Sequence, residues 1–291
     1  MKNIRLQSTT LGLSCVENYT LSILKQYYEN INCLFCMSFI SAEDLLYQIV
    51  LNNVKRDNFK LFPRIHEIAF KYLSLIHLHS YDDLRIENIW SDIKNTNNEV
   101  YYLIKVNPSF VKEMFHVELL RKDHYICCYF KEDNNMVLND YPYKILQLDD
   151  NKIIEAYDGN MLRFKIIGEI NDEVKKKANN LFYRHIDFHI SEKSNRKVDI
   201  SQLNIGEVKE FLFLYKKIVQ RTALFCSDYQ EIDSRFLRVN ALVDNSLTQI
   251  YMDEVKKRDF DLRKYQDMVD KLLCMDRSIN DFLRVFSTTL K

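Results

Sequence analysis

Glycine and proline are scarce in this chain of 291 residues, which contains 4 glycines and 3 prolines. A P-loop or a GxGxxG dinucleotide fingerprint needs several glycines at fixed spacing, so the small number of glycines argues against both. Few helix-breaking residues also favour long helices and few tight turns. We therefore expect a helix-rich chain without a glycine-rich nucleotide fold.

Excess charge and long apolar runs are lacking as well. Lysine and arginine number 41, as do aspartate and glutamate, so the formal net charge is zero. Nucleic-acid binders usually show a basic excess. No stretch approaches the roughly 18 apolar residues of a membrane helix, and the N-terminus lacks the apolar core of a signal peptide. These absences predict a cytoplasmic chain with neither nucleic acid nor membrane as a partner.

The seven cysteines follow no disulfide framework, because their number is odd and they are scattered through a chain large enough to form a core. Reduced thiols are therefore expected. Cys33-x-x-Cys36 lacks the second pair of a zinc ribbon and the βαβ context of a redox motif. No metal is expected, and two histidine pairs are interpreted as solvated or hydrogen-bonded: His77 with His79, and His185 with His189.

Hydrophobic periodicity predicts helices, then a sheet, then helices again, and therefore an α+β chain. Helices are predicted at 14–28, 42–54, 65–78 and 82–96, and after residue 170 at 172–181, 205–225, 232–255 and 262–290. Antiparallel strands are predicted at 100–106, 115–120, 124–130, 136–138, 152–156 and 161–167. The change near residue 170 suggests two domains, 1–168 and 169–291.

A thiol, an imidazole and a carboxylate occupy positions where they can converge. Cys15 lies in the first turn of a predicted helix, where the dipole and unpaired N–H groups favour a thiolate. His124 leads one predicted strand and Asp140 closes the next, so the two are close to cross-strand neighbours if the hairpin turns near Asp133-Asn134. Such a set could serve as nucleophile, base and orienting carboxylate.

Two segments carry a family resemblance: SCVENYTLSILKQYYENI around Cys15, and DHYICCYFKEDNNMVLNDYPYKI from His124 past Asp140. Their order resembles the papain-like cysteine enzymes, especially the minimal branch that includes the bacteriocin-processing peptidases. Within that group they are most similar to transacylases of the butirosin-biosynthesis and closthioamide type. The resemblance covers about the first half of the chain. It implies a papain-like domain over 1–168, with N-terminal helices packed on an antiparallel sheet, and a helical C-terminal region over 169–291.

The resemblance also implies a reaction. Cys15 would accept an acyl group from a carrier-protein thioester, His124 would act as base and then acid, and Asp140 would orient the imidazole. The acyl group would pass to an amine and form an amide in natural-product biosynthesis. The implied partners are an acyl or peptidyl carrier protein, which brings the phosphopantetheine, and a small amine; no cofactor of the enzyme itself is expected.

Several alternatives stay open. The peptidase branch usually carries an oxyanion glutamine six positions before its cysteine, a place held here by Thr9, so Thr9 or the nearby Gln7 is a candidate for that role. His116 is a second candidate for the base, and Asn139 a second candidate for the orienting residue. The function alternatives are a peptidase or thioesterase of the same fold, and a non-catalytic helical interaction protein.

Overall fold

The computed structural model describes residues 11–82, 85–87, 90, 100–118, 124–131, 134–140, 143–191 and 198–290. The chain divides into two compact units. Met1–Ile31 and Ile65–Ile170 belong to the first unit, and Asn32–Arg64 and Asn171–Lys291 to the second. The later boundary lies near the division expected at residue 168, whereas the sequence offered no sign that the segment Asn32–Arg64 belongs with the C-terminal helices.

A six-stranded antiparallel sheet forms the centre of the first unit, with the strand order β1-β6-β2-β3-β4-β5. The α+β class predicted above is therefore confirmed. The strands are β1 (Ile76–Asp82), β2 (Val100–Val106), β3 (His124–Lys131), β4 (Asn134–Asp140), β5 (Tyr143–Leu148) and β6 (Tyr157–Ile166).

Helices accompany the sheet in the first unit and dominate the second. Those of the first unit are α1 (Cys15–Tyr27), α3 (Ile65–Glu67), which continues as a π-helix over Ile68–Tyr72, α4 (Pro108–Phe115) and α5 (Asp150–Ala156). Those of the second unit are α2 (Ala42–Asn52), α6 (Asp172–Ser191), α7 (Ile205–Cys226), α8 (Ser234–Val255) and α9 (Leu262–Thr289), with 3-10 turns at Asn32–Phe35, Arg56–Asn58 and Ile200–Gln202.

Local capping explains where several helices begin. Ser14 caps α1 by accepting the Glu17 N–H, and Ser41 caps α2 by accepting the Asp44 N–H. A capping side chain satisfies one of the backbone N–H groups left unpaired at a helix start. Both helices begin where the sequence predicted, as do the long helices of the second unit to within two residues.

Three predicted elements are wrong. The helix expected over 65–78 ends at Tyr72, and β1 begins at Ile76, because the apolar spacing of this short stretch suits either structure. The strand expected over 115–120 does not form over 115–118: Phe115 ends α4, a helix that Asn107 caps and whose first turn contains Pro108. Residues 119 and 120 lie outside the described residues. The strand expected over 152–156 is helix α5. Most of the helix expected over 82–96 lies outside the described residues.

Both faces of the sheet are covered within the first unit. One face packs against α4 and α5 in an apolar cluster that includes Ile104, Ile126 and Val137. Alternate residues of β2 point to the other face, where the hydroxyl of Tyr101 lies 3.0 Å from that of Tyr27 on α1. The helix that carries Cys15 is thus packed on this face of the sheet, and its Tyr19 hydroxyl hydrogen-bonds the backbone of β3 and β4.

Across the part of the chain that the structure describes, no helix is both long enough and apolar enough to cross a membrane.

Candidate active site

The first turn of α1 presents Cys15. Ser14 immediately before it accepts the Glu17 N–H through its side chain at 3.3 Å, so the cysteine is the first residue of the helix. Cys15 is half-buried and its thiol is free. This is the position predicted from the sequence, at the positive end of the helix dipole.

A buried carboxylate anchors this turn. Glu17 is fully buried, and its two carboxylate oxygens accept the Leu13 N–H at 2.6 Å and the Ile65 N–H at 3.0 Å. One side chain therefore ties the loop before Cys15 and the start of α3 to the same helical turn. Hydrogen bonds to a charged acceptor are among the stronger ones in proteins, which makes Glu17 a rigid support for the nucleophile.

The imidazole of His124 lies between two candidate orienting groups. Its Nε2 is 2.6 Å from Oδ1 of Asn139 and 3.9 Å from Oδ1 of Asp140. Only the first distance is that of a hydrogen bond. His124 is 7% exposed and Asn139 is fully buried. The direct partner of the ring is therefore Asn139, the residue held as an alternative in the sequence analysis, with Asp140 as a nearby charge.

Asp140 is the common neighbour of the predicted residues. Its Oδ2 accepts a hydrogen bond from the side-chain amide of Asn18 at 3.1 Å, and Asn18 in turn accepts the Gly12 N–H. Its charge also reaches the Cys15 thiol, since it is one cause of that thiol's raised pKa. Asp140 therefore lies beside the imidazole ring of His124, and its charge acts on the Cys15 thiol.

Burial, more than any charge, sets the acidity of the thiol. Desolvation and the nearby Asp140 carboxylate raise the pKa of Cys15 to about 12, and hydrogen bonds from the backbone of Tyr125 and of the helix start oppose them. Burial disfavours the charged form of a thiol, and a neighbouring anion disfavours it further. The resting group is therefore a neutral thiol at pH 7.

The remaining candidates from the sequence are two oxyanion residues, a second histidine and a pair of cysteines. Gln7 and Thr9, proposed for the oxyanion hole, lie outside the described residues. His116 is exposed and caps the C-terminus of α4 in a left-handed conformation. Cys33 and Cys36 are buried free thiols, and burial raises the pKa of each.

Metal-ligating groups do not cluster in the described part of the chain: it contains no set of three or more histidine, cysteine, aspartate or glutamate side chains that could hold an ion. Nε2 of His185 lies 2.6 Å from the carbonyl oxygen of Phe39. Because a carbonyl only accepts, Nε2 carries the hydrogen and donates it. Burial lowers its pKa to about 3. This histidine is structural, in line with its interpretation from the sequence.

Sequence reasoning missed three residues of the site, all on α1: Glu17, Asn18 and Tyr19. The ring of Tyr19 is buried, but its hydroxyl reaches the backbone of β3 and β4. A polar tip on a buried aromatic side chain usually finds a partner. That tendency was the available signal, although it does not name the partner.

Comparisons with known proteins add no relative. No protein-family model matches the chain, and a search of curated proteins finds no match.

Proposed function

We propose that this protein is a cysteine-dependent acyltransferase of papain-like type, which moves an acyl group from a carrier-protein thioester through Cys15 to an amine. The observation that supports it best is the 2.6 Å contact between His124 and Asn139, on the two strands whose backbone the α1 residue Tyr19 hydrogen-bonds. A thiol, an imidazole and an amide or carboxylate that orients the ring form the usual set for nucleophilic acyl transfer.

The hydrogen bond to Asn139 assigns the two ring nitrogens. An amide oxygen accepts, so Nε2 of His124 carries hydrogen and Nδ1 is left to take a proton. When the thiol attacks, that proton moves to Nδ1 and the ring becomes an imidazolium. Asp140, with its carboxylate 3.9 Å from Nε2, then stabilises the new positive charge.

The raised pKa of the thiol bears on how the nucleophile forms. With a pKa of about 12, Cys15 is not a preformed thiolate, so proton removal by His124 must accompany attack. The sulfur bonds to the acyl carbon and the carrier thiol leaves with a proton from the imidazolium. In the second step an amine nitrogen bonds to the acyl carbon, the amide forms and Cys15 recovers its proton.

The choice of an amine as acceptor comes from the family resemblance, as does the carrier protein as donor. Amide formation from a thioester runs downhill, whereas exchange between thioesters is nearly balanced. The partners of the proposed reaction are therefore an acyl or peptidyl carrier protein and a small amine. No cofactor of the enzyme itself takes part in the proposed steps.

Intact mass spectrometry tests the first step. Wild type, Cys15→Ala and Cys274→Ala are mixed with a carrier protein loaded in turn with acetyl, hexanoyl and glycyl groups, and with the matching N-acetylcysteamine thioesters. Cys274 is an exposed free thiol and serves as the matched control. We expect an acyl adduct on wild type and Cys274→Ala that is absent from Cys15→Ala.

The acceptor is tested by adding 1,3-diaminopropane or an aminoglycoside to the acylated protein. Loss of the adduct with formation of the amide supports transfer. Loss of the adduct as free acid, whether or not amine is present, would instead assign a thioesterase. No adduct on Cys15 from any donor would contradict the proposal and shift weight to a peptidase or a binding protein.

A further inference from the structure

Strands β3 and β4 part at the end that carries the candidate site. Their pairing runs from Lys131↔Asn134 to Cys127↔Leu138 and stops there. Each strand continues beyond that point with its other neighbour, since β3 pairs with β2 as far as His124 and β4 pairs with β5 as far as Asp140. Both strands are therefore intact where their mutual pairing ends.

The hydroxyl of Tyr19 lies where the next backbone hydrogen bonds between β3 and β4 would form. Two residues on from Cys127↔Leu138, the same register would place Tyr125 opposite Asp140. Instead, the Tyr19 hydroxyl accepts the Asp140 N–H at 3.1 Å and donates to the Tyr125 carbonyl at 2.8 Å. Two backbone groups that would bond to each other in a regular ladder are bridged by a side chain from α1.

The nucleophile uses the same opening. In an antiparallel strand the N–H and C=O of one residue point to the same side, so both groups of Tyr125 point towards β4. The carbonyl is taken by Tyr19, and the backbone of Tyr125 also hydrogen-bonds the Cys15 thiol. Cys15 and Tyr19 are four residues apart, on one face of the helix. Together they take the place of β4 along Tyr125.

We propose that Tyr19 is a positioning residue whose hydroxyl keeps β3 and β4 apart at their site ends, so that the backbone N–H of Tyr125 serves the Cys15 sulfur and not the ladder. The role of this contact in acyl transfer rests on the proposed function. The chemistry of the thiol does not, because a hydrogen-bond donor at sulfur favours the thiolate whatever the substrate is.

Removal of the hydroxyl alone should change this arrangement. In Tyr19→Phe the ring still fills its buried site, but the two strands can bond directly, with the Asp140 N–H donating to the Tyr125 carbonyl. The Tyr125 N–H would then donate to the backbone carbonyl of Asp140, and the Cys15 sulfur would lose a hydrogen-bond donor. A hydrogen bond contributes about 0.5–1.5 kcal/mol, so we expect the thiolate population, and with it the rate of alkylation at Cys15, to fall about threefold to tenfold.

Alkylation by iodoacetamide, followed by peptide mass spectrometry between pH 7 and 9, measures this rate for each cysteine separately. Exposed Cys274 is the internal reference, and its rate should be the same in all variants. Tyr27→Phe is the matched control, since it removes a hydroxyl from the same helix, one that bonds the hydroxyl of Tyr101 on β2. We expect its Cys15 rate to lie within about twofold of wild type.

The proposal is overturned if Tyr19→Phe leaves the Cys15 rate unchanged, or if Tyr27→Phe slows it equally. If Tyr19→Phe does not fold, a crystal structure of the wild type decides: the Tyr19 hydroxyl between the Tyr125 carbonyl and the Asp140 N–H supports the proposal, and a direct backbone bond between them overturns it. None of these readouts needs an acyl donor. Failure of the acyltransferase assay is therefore distinguishable from failure of this inference.

Discussion

Replacement of Glu17 by glutamine probes the support under the nucleophile. The substitution keeps the size of the side chain and removes its charge. The carboxylate is fully buried and accepts two backbone N–H groups, from Leu13 and from Ile65. A glutamine side chain has one acceptor oxygen and one donor NH2 group, so it can accept only one of these N–H groups through its oxygen and must present a donor to the other.

The loss follows from these two contacts. A hydrogen bond to a charged group contributes about 1.5–3 kcal/mol, and a buried donor left without a partner costs about 1–3 kcal/mol. In Glu17→Gln one of the two hydrogen bonds is lost, and the other is made to an uncharged acceptor. Glutamine avoids the cost of burying a charge, which offsets part of this loss. We expect Glu17→Gln to lower the free energy of unfolding by about 2–4 kcal/mol.

Urea denaturation at pH 7, followed by far-ultraviolet circular dichroism, measures this change. Glu67→Gln is the matched control, because Glu67 is partly exposed and pairs with Lys71 one helical turn away. Exposed pairs of this kind contribute about 0.3–0.5 kcal/mol. The reasoning is refuted if Glu17→Gln costs no more than Glu67→Gln. A Cys15 alkylation rate that changes in Glu17→Gln but not in the control would show that the support also positions the thiol.

Three further predictions concern the candidate site and two buried titratable groups. Asn139→Ala should slow acylation of Cys15 about tenfold or more, because it removes a hydrogen bond of about 1.5–3 kcal/mol to the charged ring. Asp140→Asn should slow it about fivefold or more, because it removes a Coulomb attraction of about 1–4 kcal/mol at 3.9 Å. Burial raises the pKa of Asp276 to about 6 from 3.8, so its contribution to stability is complete below about pH 4 and falls by about 3 kcal/mol as the pH rises to 6. Burial lowers the pKa of His185 to about 3, so its contribution is complete above pH 6.5 and falls by about 1.4 kcal/mol per pH unit as the pH drops towards 3.

Each of these predictions has its own measurement. Single-turnover mass spectrometry gives the acylation rates, and an unchanged rate in Asn139→Ala would contradict the assignment of that residue as the orienting group. Urea denaturation at a series of pH values, compared with Asp276→Asn and with His185→Gln, separates the two titrations, which run in opposite directions. A stability difference between wild type and either variant that does not vary with pH would count against the corresponding shift.

Local signals in the sequence were enough to place the helix that carries Cys15 and the strands that carry His124 and Asp140. A serine cap, an apolar stripe at helical spacing and runs of β-branched and aromatic residues act over a few neighbours along the chain. The same signals failed at 115–120, where Phe115 still belongs to the helix that Asn107 caps, and at 152–156, which belongs to the helix that Asp149 caps. Tertiary packing decides the structure of elements that are too short to show a clear hydrophobic period.

The partner of the imidazole shows where local signals end. With a turn assumed near Asp133-Asn134, the sequence paired His124 with Asp140. The observed register joins Cys128 to Val137, so His124 shares a sheet face with Asn139. A difference of one residue in register moves every side chain of a strand to the other face. No local pattern in this hairpin determined the register to within one residue.

The sequence by itself therefore determined the kinds of chemical groups and the elements that carry them: a thiol at a helix start, an imidazole and a carboxylate on successive strands, in an α+β chain. Only the tertiary structure decided which groups touch. Three contacts join residues that lie far apart in the chain or on paired strands. They are the contact of Asn139 with the His124 ring, that of Glu17 with the Ile65 N–H, and that of Tyr19 with the backbone of β4. Such contacts depend on how β3, β4 and α1 pack, which is a property of the folded chain as a whole.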